Sequence, residues 1–212
     1  MFHVFLTSLI LSIGSADPRT SDFSLQSRPD TAQVSWILDA QESEARYRVR
    51  EQLAGFDFPN DAVGGTKDLT GLVTLSPDGS IVSGRSEIRI QLASLATDNE
   101  RRDGYVQRRT LEVEQYPEAL LVPRGFTGLE HPIPTSGKGT FQLEGDLTLH
   151  GRTQPTVWEV TAEFGPETIT GLATTAFTFD TFGIAVPQVA RVLSVDDDIR
   201  LELEFLLVRD EG

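Results

Sequence analysis

The sequence predicts an all-β domain, an antiparallel barrel or sandwich of about eight strands with one helical insertion. Three observations lead there. Apolar and polar residues alternate with period two in segment after segment from Trp36 onward, the pattern of strands with one face in a core and one in water. Gly, Pro, Asn and Asp cluster between those segments as turn signals. A single long stretch, residues 95–117, reads as neither strand nor turn.

In chain order, residues 1–16 (MFHVFLTSLILSIGSA) carry an apolar run from Val4 to Ile13, too short to span a bilayer but the length of a secretory h-region. Gly14, Ser15 and Ala16 supply the small residues a signal peptidase needs, so a signal peptide is expected there, with His3 as its only basic residue. Residues 17–34 are polar and read as a linker. The folded domain is expected over residues 35–209.

Residues 45–53 place Tyr47, Val49 and Leu53 on one face and Arg46, Arg48, Arg50 and Gln52 on the other. Glu51 falls on the apolar face, either hydrated at the mouth of a barrel or buried with a designated partner. Residues 55–67 (GFDFPNDAVGGTK) read as a loop whose Phe56, Phe58 and Val63 fold back as a lid. Alternation resumes over 69–75, Pro77-Asp78-Gly79 marks a tight turn, and residues 83–92 set Ile88, Ile90 and Leu92 against Arg85, Glu87, Arg89 and Gln91.

In the insertion, Thr97 and Glu100 have capping-box spacing, and Asp98 and Asn99 are good caps, so a helix is expected to begin near Asn99 and to end at Tyr116-Pro117. It concentrates Arg101, Arg102, Arg108 and Arg109 in a chain of net charge -14. These are either a solvated face paired with nearby acids or cation donors for an anionic headgroup or a partner protein.

Further strands are expected at 119–126, 140–150, 156–164, 168–179 and 199–207, turned by Gly151 and by Gly165-Pro166. Their inward residues include Phe141, Leu143, Trp158, Phe177, Leu203 and Phe205. Gly71, Gly84, Gly145 and Gly171 either leave room for a ligand or relieve curvature and mark bulges, and the pattern leaves both open.

Composition excludes several chemistries. The absence of Cys removes disulfides, thiol catalysis and Cys-based metal sites. The acidic balance argues against nucleic acid as a partner and against general attraction to anionic membranes, so any lipid partner is held in a pocket or met through a local patch. Outside the leader only His131 and His150 remain, without metal-ligand spacing, and Asp196-Asp197-Asp198 lacks the ligand spacing of a calcium loop and reads as an acidic turn before the last strand. No phosphate-cradling Gly-rich loop and no Gly-x-Ser-x-Gly elbow is present.

Ser94-Leu95-Ala96-Thr97 leading into Arg102-Asp103, then Tyr116-Pro117, then Gly145-Asp146-Leu147-Thr148-Leu149-His150-Gly151 with Pro155-Thr156-Val157, and finally Phe182-Gly183-Ile184 form an ordered set. Together they resemble the YceI-like family of periplasmic, lipocalin-like, polyisoprenoid-binding proteins. The resemblance implies an extended antiparallel lipocalin-like β-barrel with a helical insertion, in which Arg102 and Asp103 tie the helix to the barrel as an ion pair. It implies an apolar pore that holds the tail of a quinone-like or polyprenyl-phosphate-like lipid for transport, storage or sequestration. The chain departs from the family's common pattern in lacking His on its first strands, and in carrying Phe179-Asp180-Thr181 where a basic residue is usual before the Phe-Gly motif.

The pore is expected to be lined by Tyr47, Val49, Ile88, Ile90, Phe141, Leu143, Trp158, Phe177, Leu203 and Phe205, with Arg101, Arg102, Arg108 and Arg109 facing the headgroup or a partner. No catalytic residue, metal or cofactor is implied beyond the bound isoprenoid lipid. A periplasmic location and no membrane-spanning segment complete the expectation, with the oligomeric state left open and a homodimer allowed. Two other readings stay open: a filled barrel that works as a protein-interaction domain, and an enzyme acting on a prenylated substrate, for which Glu51 and His150 are the candidates.

Overall fold

The computed structural model describes residues 33–55, 57–189 and 192–210. The expected leader, all but the last two residues of the expected linker, and Phe56 lie outside them. Ten strands follow in order: β1 (Val34–Leu38), β2 (Glu44–Leu53), β3 (Asn60–Thr66), β4 (Leu69–Leu75), β5 (Glu87–Gln91), β6 (Glu118–Thr127), β7 (Gly137–Leu149), β8 (Arg152–Phe164), β9 (Thr168–Thr178) and β10 (Val192–Arg209). One short helix, α1 (Glu100–Tyr105), lies between β5 and β6.

All pairings between these strands are antiparallel, and from β4 to β10 each strand pairs with the next in sequence. β1 pairs with both β10 and β4, with Trp36 opposite Arg209 on one side and Val73 on the other, which closes a ring of eight strands. Closure removes the free edges that an open sheet would expose.

β2 and β3 prolong this ring. β1 and β2 run along the same side of β10, Leu38 opposite Leu207 and Ala45 opposite Leu203, with residues 39–43 looped out between them. The Asp39 backbone N–H donates to Leu206 O at 2.9 Å, and the Leu206 N–H donates to the buried Ser43 Oγ at 3.0 Å, so the detour leaves these backbone groups paired. β3 lies beside β2 as β4 lies beside β1, and Gly65 exchanges two hydrogen bonds with Ala96, at 2.9 and 3.0 Å. That bridge joins the β2–β3 arm to the segment after β5 and extends the wall at one end of the barrel.

The loop expected over residues 55–67 is therefore half strand. Gly64 and Gly65 are turn formers by composition, yet here they serve close packing: a side chain at Gly64 would overlap the Tyr47 ring, and one at Gly65 the Glu44 carboxylate. Phe58 does not fold back as a lid; it is 81% exposed. Asp196, Asp197 and Asp198 lie inside β10, where the register with β2 shifts between Val195 and Ile199, and Asp197 accepts a hydrogen bond from the Phe179 N–H at 3.2 Å. The strand expected from Ser83 starts only at Glu87, because Gly84 turns the chain with φ +72°.

α1 begins as the spacing predicts, with Asn99 as its cap: the Asn99 Oδ1 accepts from the Arg101 and Arg102 N–H groups at 3.0 and 3.3 Å. It is far shorter than residues 99–116. After Tyr105 it widens into a π-turn over Val106–Thr110, and Glu112 takes φ +50°. Gly104 and the β-branched Val106, Thr110 and Val113 weaken helix propensity along this stretch, and no apolar stripe of helical length compensates.

Inward-facing residues alternate along every long strand, as in β8, where Trp158, Val160, Ala162 and Phe164 are all buried. At the end of the barrel away from the arm the core is filled. Phe141 packs edge-on against Phe126 at 5.6 Å between ring centroids and tilted against Phe164 at 6.4 Å.

Candidate functional site

The other half of the barrel is hollow. A cavity of about 940 Å³ runs from the level of Trp158, Leu121 and Leu203 to an opening flanked by Leu53, Ala54 and Gly55 of the β2–β3 turn, by Pro187 and Val189, and by Val192. This volume is near the top of the roughly 300–1,000 Å³ of small-molecule sites. Its wall is mostly aliphatic and aromatic. The aromatic cluster of Phe126, Phe141 and Phe164 lies outside the lining, so the cavity ends above it.

Of the expected pore residues, Tyr47, Val49, Ile88, Ile90, Trp158, Phe177 and Leu203 line the cavity. Phe141, Leu143 and Phe205 do not; they face inward, but in the filled half. The division falls at one cross-strand pair, since Trp158 reaches the cavity while Leu143, directly opposite it, does not. Alternation reveals which face a residue takes and not its height along the barrel axis. The same limit hid Ala119, Leu121, Leu147, Leu149 and Val195, all cavity residues at the heights where the barrel is hollow. Gly71, Gly84, Gly145 and Gly171 do not line the cavity; an added Cβ at Gly145 or Gly171 would press on backbone of the next strand, so these two serve close strand approach.

The four arginines separate in role. Arg101 and Arg102 line the cavity, whereas Arg108 and Arg109 do not. The expected pair of Arg102 with Asp103 is absent. Arg102 instead donates through Nη2 to Glu51 at 2.9 Å and through Nη1 to Asp98 at 2.8 Å. Asp103 accepts from the Thr97 N–H at 2.9 Å and the Thr97 hydroxyl at 2.6 Å. Glu51 is buried with a designated partner, and the helix is tied to the inner face of β2 through it. Among the described residues Arg101 has no ion pair, so its guanidinium is a spare donor at the cavity.

Tyr47 is the other polar feature of the wall. Its ring lies over Gly64, and burial pushes its phenol up to about 12, opposed in part by the nearby Arg102 charge. The hydroxyl therefore stays protonated, and the described residues give it no hydrogen-bond partner. Thr110 also lines the cavity, but its Oγ1 is sealed in the wall without a partner.

Glu51 and His150 are not brought together. His150 sits in the β7–β8 turn with φ +51°, its Nε2 3.3 Å from Glu112 and its ring edge-on to Tyr116, and it does not line the cavity. Among the described residues no cluster of three or more His, Asp or Glu is placed to hold a metal ion, and no helix is long and apolar enough to cross a membrane.

The model of the YceI-like domain matches residues 36–207, from the first strand of the ring to the last. The chain belongs to the YceI-like family. A relative in Pseudomonas putida strain W619, a UPF0312 protein, is 31% identical over 146 residues, covering 64% of this chain and 70% of that one. The YceI-like barrel is also found in two solved structures. A polyisoprenoid binding domain from Saccharophagus degradans, implicated in plant cell wall breakdown, aligns with TM-score 0.63 at 11% identity over 84% of this chain and 99% of its own. Burkholderia cenocepacia BcnA aligns with TM-score 0.60 at 17% identity over 80% and 98%. At these identities the two structures establish the YceI-like fold.

Proposed function

We propose that the protein is a periplasmic carrier that holds an isoprenoid lipid, tail inward, in the half-barrel cavity. The observation that carries this reading is the cavity itself: about 940 Å³, apolar, ending above packed aromatics and open at the end where the spare donors gather. Membership of the YceI-like family supports it, as does the likeness to the polyisoprenoid binding domain. Apolar burial holds the tail, at about 25 cal/mol per Å² removed from water before ordering costs. A quinone-like or polyprenyl-phosphate-like head then meets the Tyr47 hydroxyl and the Arg101 guanidinium, both of which donate to oxygen.

The cavity weighs against a filled barrel that acts only through its surface. The separation of Glu51 from His150 weighs against an enzyme built on that pair, and Glu51 is occupied by Arg102. Native mass spectrometry with organic extraction, on protein exported into a bacterial periplasm by its own leader, tests the proposal. An extracted mass matching a prenyl chain supports it and identifies the head; an empty protein that takes up neither added quinone nor prenyl phosphate overturns it.

A further inference from the structure

The exposed large apolar side chains of the described residues fall into two sets. Ile37, Val157, Leu172 and Val208 stand on the outer wall. Phe58, Val186, Val189 and Leu193 belong to the rim of the cavity, and Phe58 and Leu193 are the most exposed of all, at 81% and 69%. Their grouping follows from the fold. Leu53 is paired with Val192, and both line the cavity; Phe58 lies on the turn that Leu53 enters, and Leu193 follows Val192. The segment holding Val186 and Val189 is brought to α1 by the Tyr105 hydroxyl, which donates to Gln188 O at 3.5 Å.

Unpaired cations lie at the same end. Arg101 lines the cavity, and Arg108 and Arg109 are exposed on the π-turn whose Val106 and Thr110 line it; among the described residues none of the three forms an ion pair. Nearby acids are partly spoken for, Asp61 by Arg48 and Asp98 by Arg102; Asp57, Glu100 and Glu114, and Asp196, Asp197 and Asp198 of β10, form no ion pair among the described residues and stand in opposition. In a chain of net charge -14, three of the six arginines without an ion pair among the described residues lie beside the apolar rim, the other three being Arg85, Arg152 and Arg200.

Resting on the lipid-carrier reading, we propose that this rim is a docking surface for a lipid bilayer with anionic headgroups, on which the cavity opens directly into the hydrocarbon. A lipid tail that crosses water loses roughly fourfold in partition for each exposed methylene, so a long chain moves between bilayer and cavity only where the two apolar phases meet. A rim of side chains from separate loops, continuous with the cavity wall, makes that junction. The flanking arginines favour phosphate-bearing headgroups over plain apolar adhesion.

The test is flotation of the purified protein with phosphatidylcholine vesicles, with and without phosphatidylglycerol, beside uptake of a prenyl quinone from detergent micelles. Wild type is expected to float, more strongly with phosphatidylglycerol. Phe58→Ser with Leu193→Ser lowers partition about tenfold or more, while the outer-wall control, Val157→Ser with Leu172→Ser, floats like wild type; all three take up quinone alike. Arg101→Gln with Arg109→Gln removes the phosphatidylglycerol dependence. Wild type that takes up quinone but does not float, or a rim variant that floats like the control, overturns the docking surface and leaves the carrier reading standing. A rim variant that changes oligomeric state in water with flotation unchanged assigns the rim to a second copy and overturns it equally. Wild type that floats but takes up no quinone overturns the carrier reading instead.

Discussion

Arg102 Nη2 lies 2.9 Å from Glu51 Oε1, so the insertion helix is held to the inner face of β2 by one buried carboxylate. Arg102 has a second acceptor in Asp98, whereas Glu51 has only Arg102 as an ion-pair partner among the described residues. Removing one member is thus not equivalent to removing the other. Arg102→Met strands a buried charge and is expected to cost about 3 kcal/mol, and Glu51→Gln, which leaves Arg102 paired with Asp98, about 1 kcal/mol. Urea denaturation of both variants and of the double variant measures this; equal costs would contradict it.

The hollow and filled halves of the barrel respond oppositely to changes of volume. Ala119→Trp places bulk in the cavity and is expected to lower lipid uptake at least tenfold while stability changes by less than about 1.5 kcal/mol. Phe141→Ala removes a ring from the aromatic cluster and is expected to cost about 3–5 kcal/mol, with uptake by the folded fraction retained. Thermal unfolding and quinone titration on the two variants check both halves together.

Tyr47 is expected to ionise near pH 12, about two units above free tyrosine, because burial disfavours the phenolate. Its sign in the stability curve follows. The contribution is complete below pH 10, where the unfolded chain is also protonated, and is lost as the pH rises from 10 through 12. Ultraviolet titration at alkaline pH should show one late tyrosine that disappears in Tyr47→Phe. A variant curve identical to wild type would rule out the assignment.

Gly171 and Gly71 are expected to differ as sites for alanine. A Cβ at Gly171 meets the Thr161 carbonyl and lies 3.1 Å from the Ala162 Cα, rigid backbone on one side, with the Phe205 ring at 2.7 Å. Gly171→Ala should cost about 2 kcal/mol. At Gly71 the nearest atoms are Leu38 Cβ at 3.1 Å and Ile88 Cγ1 at 3.2 Å, contacts that need a shift of only a few tenths of an ångström and involve no backbone atom, so Gly71→Ala should cost less than Gly171→Ala, about 1 kcal/mol. Calorimetry of the two proteins discriminates.

The barrel was legible in the sequence because alternation is a local signal, repeated in strand after strand. The inward faces of β7, β8 and β10 were read correctly from it. What alternation lacks is position along the axis, and so Leu143 and Trp158, opposite one another, were both expected in the pore although only Trp158 reaches it. Residues 60–66 were missed for another reason: Gly64 and Gly65 look like a turn unless the ring of Tyr47 and the carboxylate of Glu44 are already in place. The helix cap was readable because Asn99 acts on its own next two N–H groups. The partner of Arg102 was not, because Glu51 lies 51 residues away in sequence.

β10 pairs with β9 on one side and with β1 and β2 on the other, so the ring has its first and last staves side by side. A ribosome delivers those staves at opposite times. The contact of Trp36 with Arg209 spans nearly the whole domain, and until Arg209 has been made β1 has no second neighbour to complete the circle. Such non-local pairing makes for slow folding. Until β10 has been made the nascent chain is therefore an open thread, and the ring that walls the cavity cannot be complete before then.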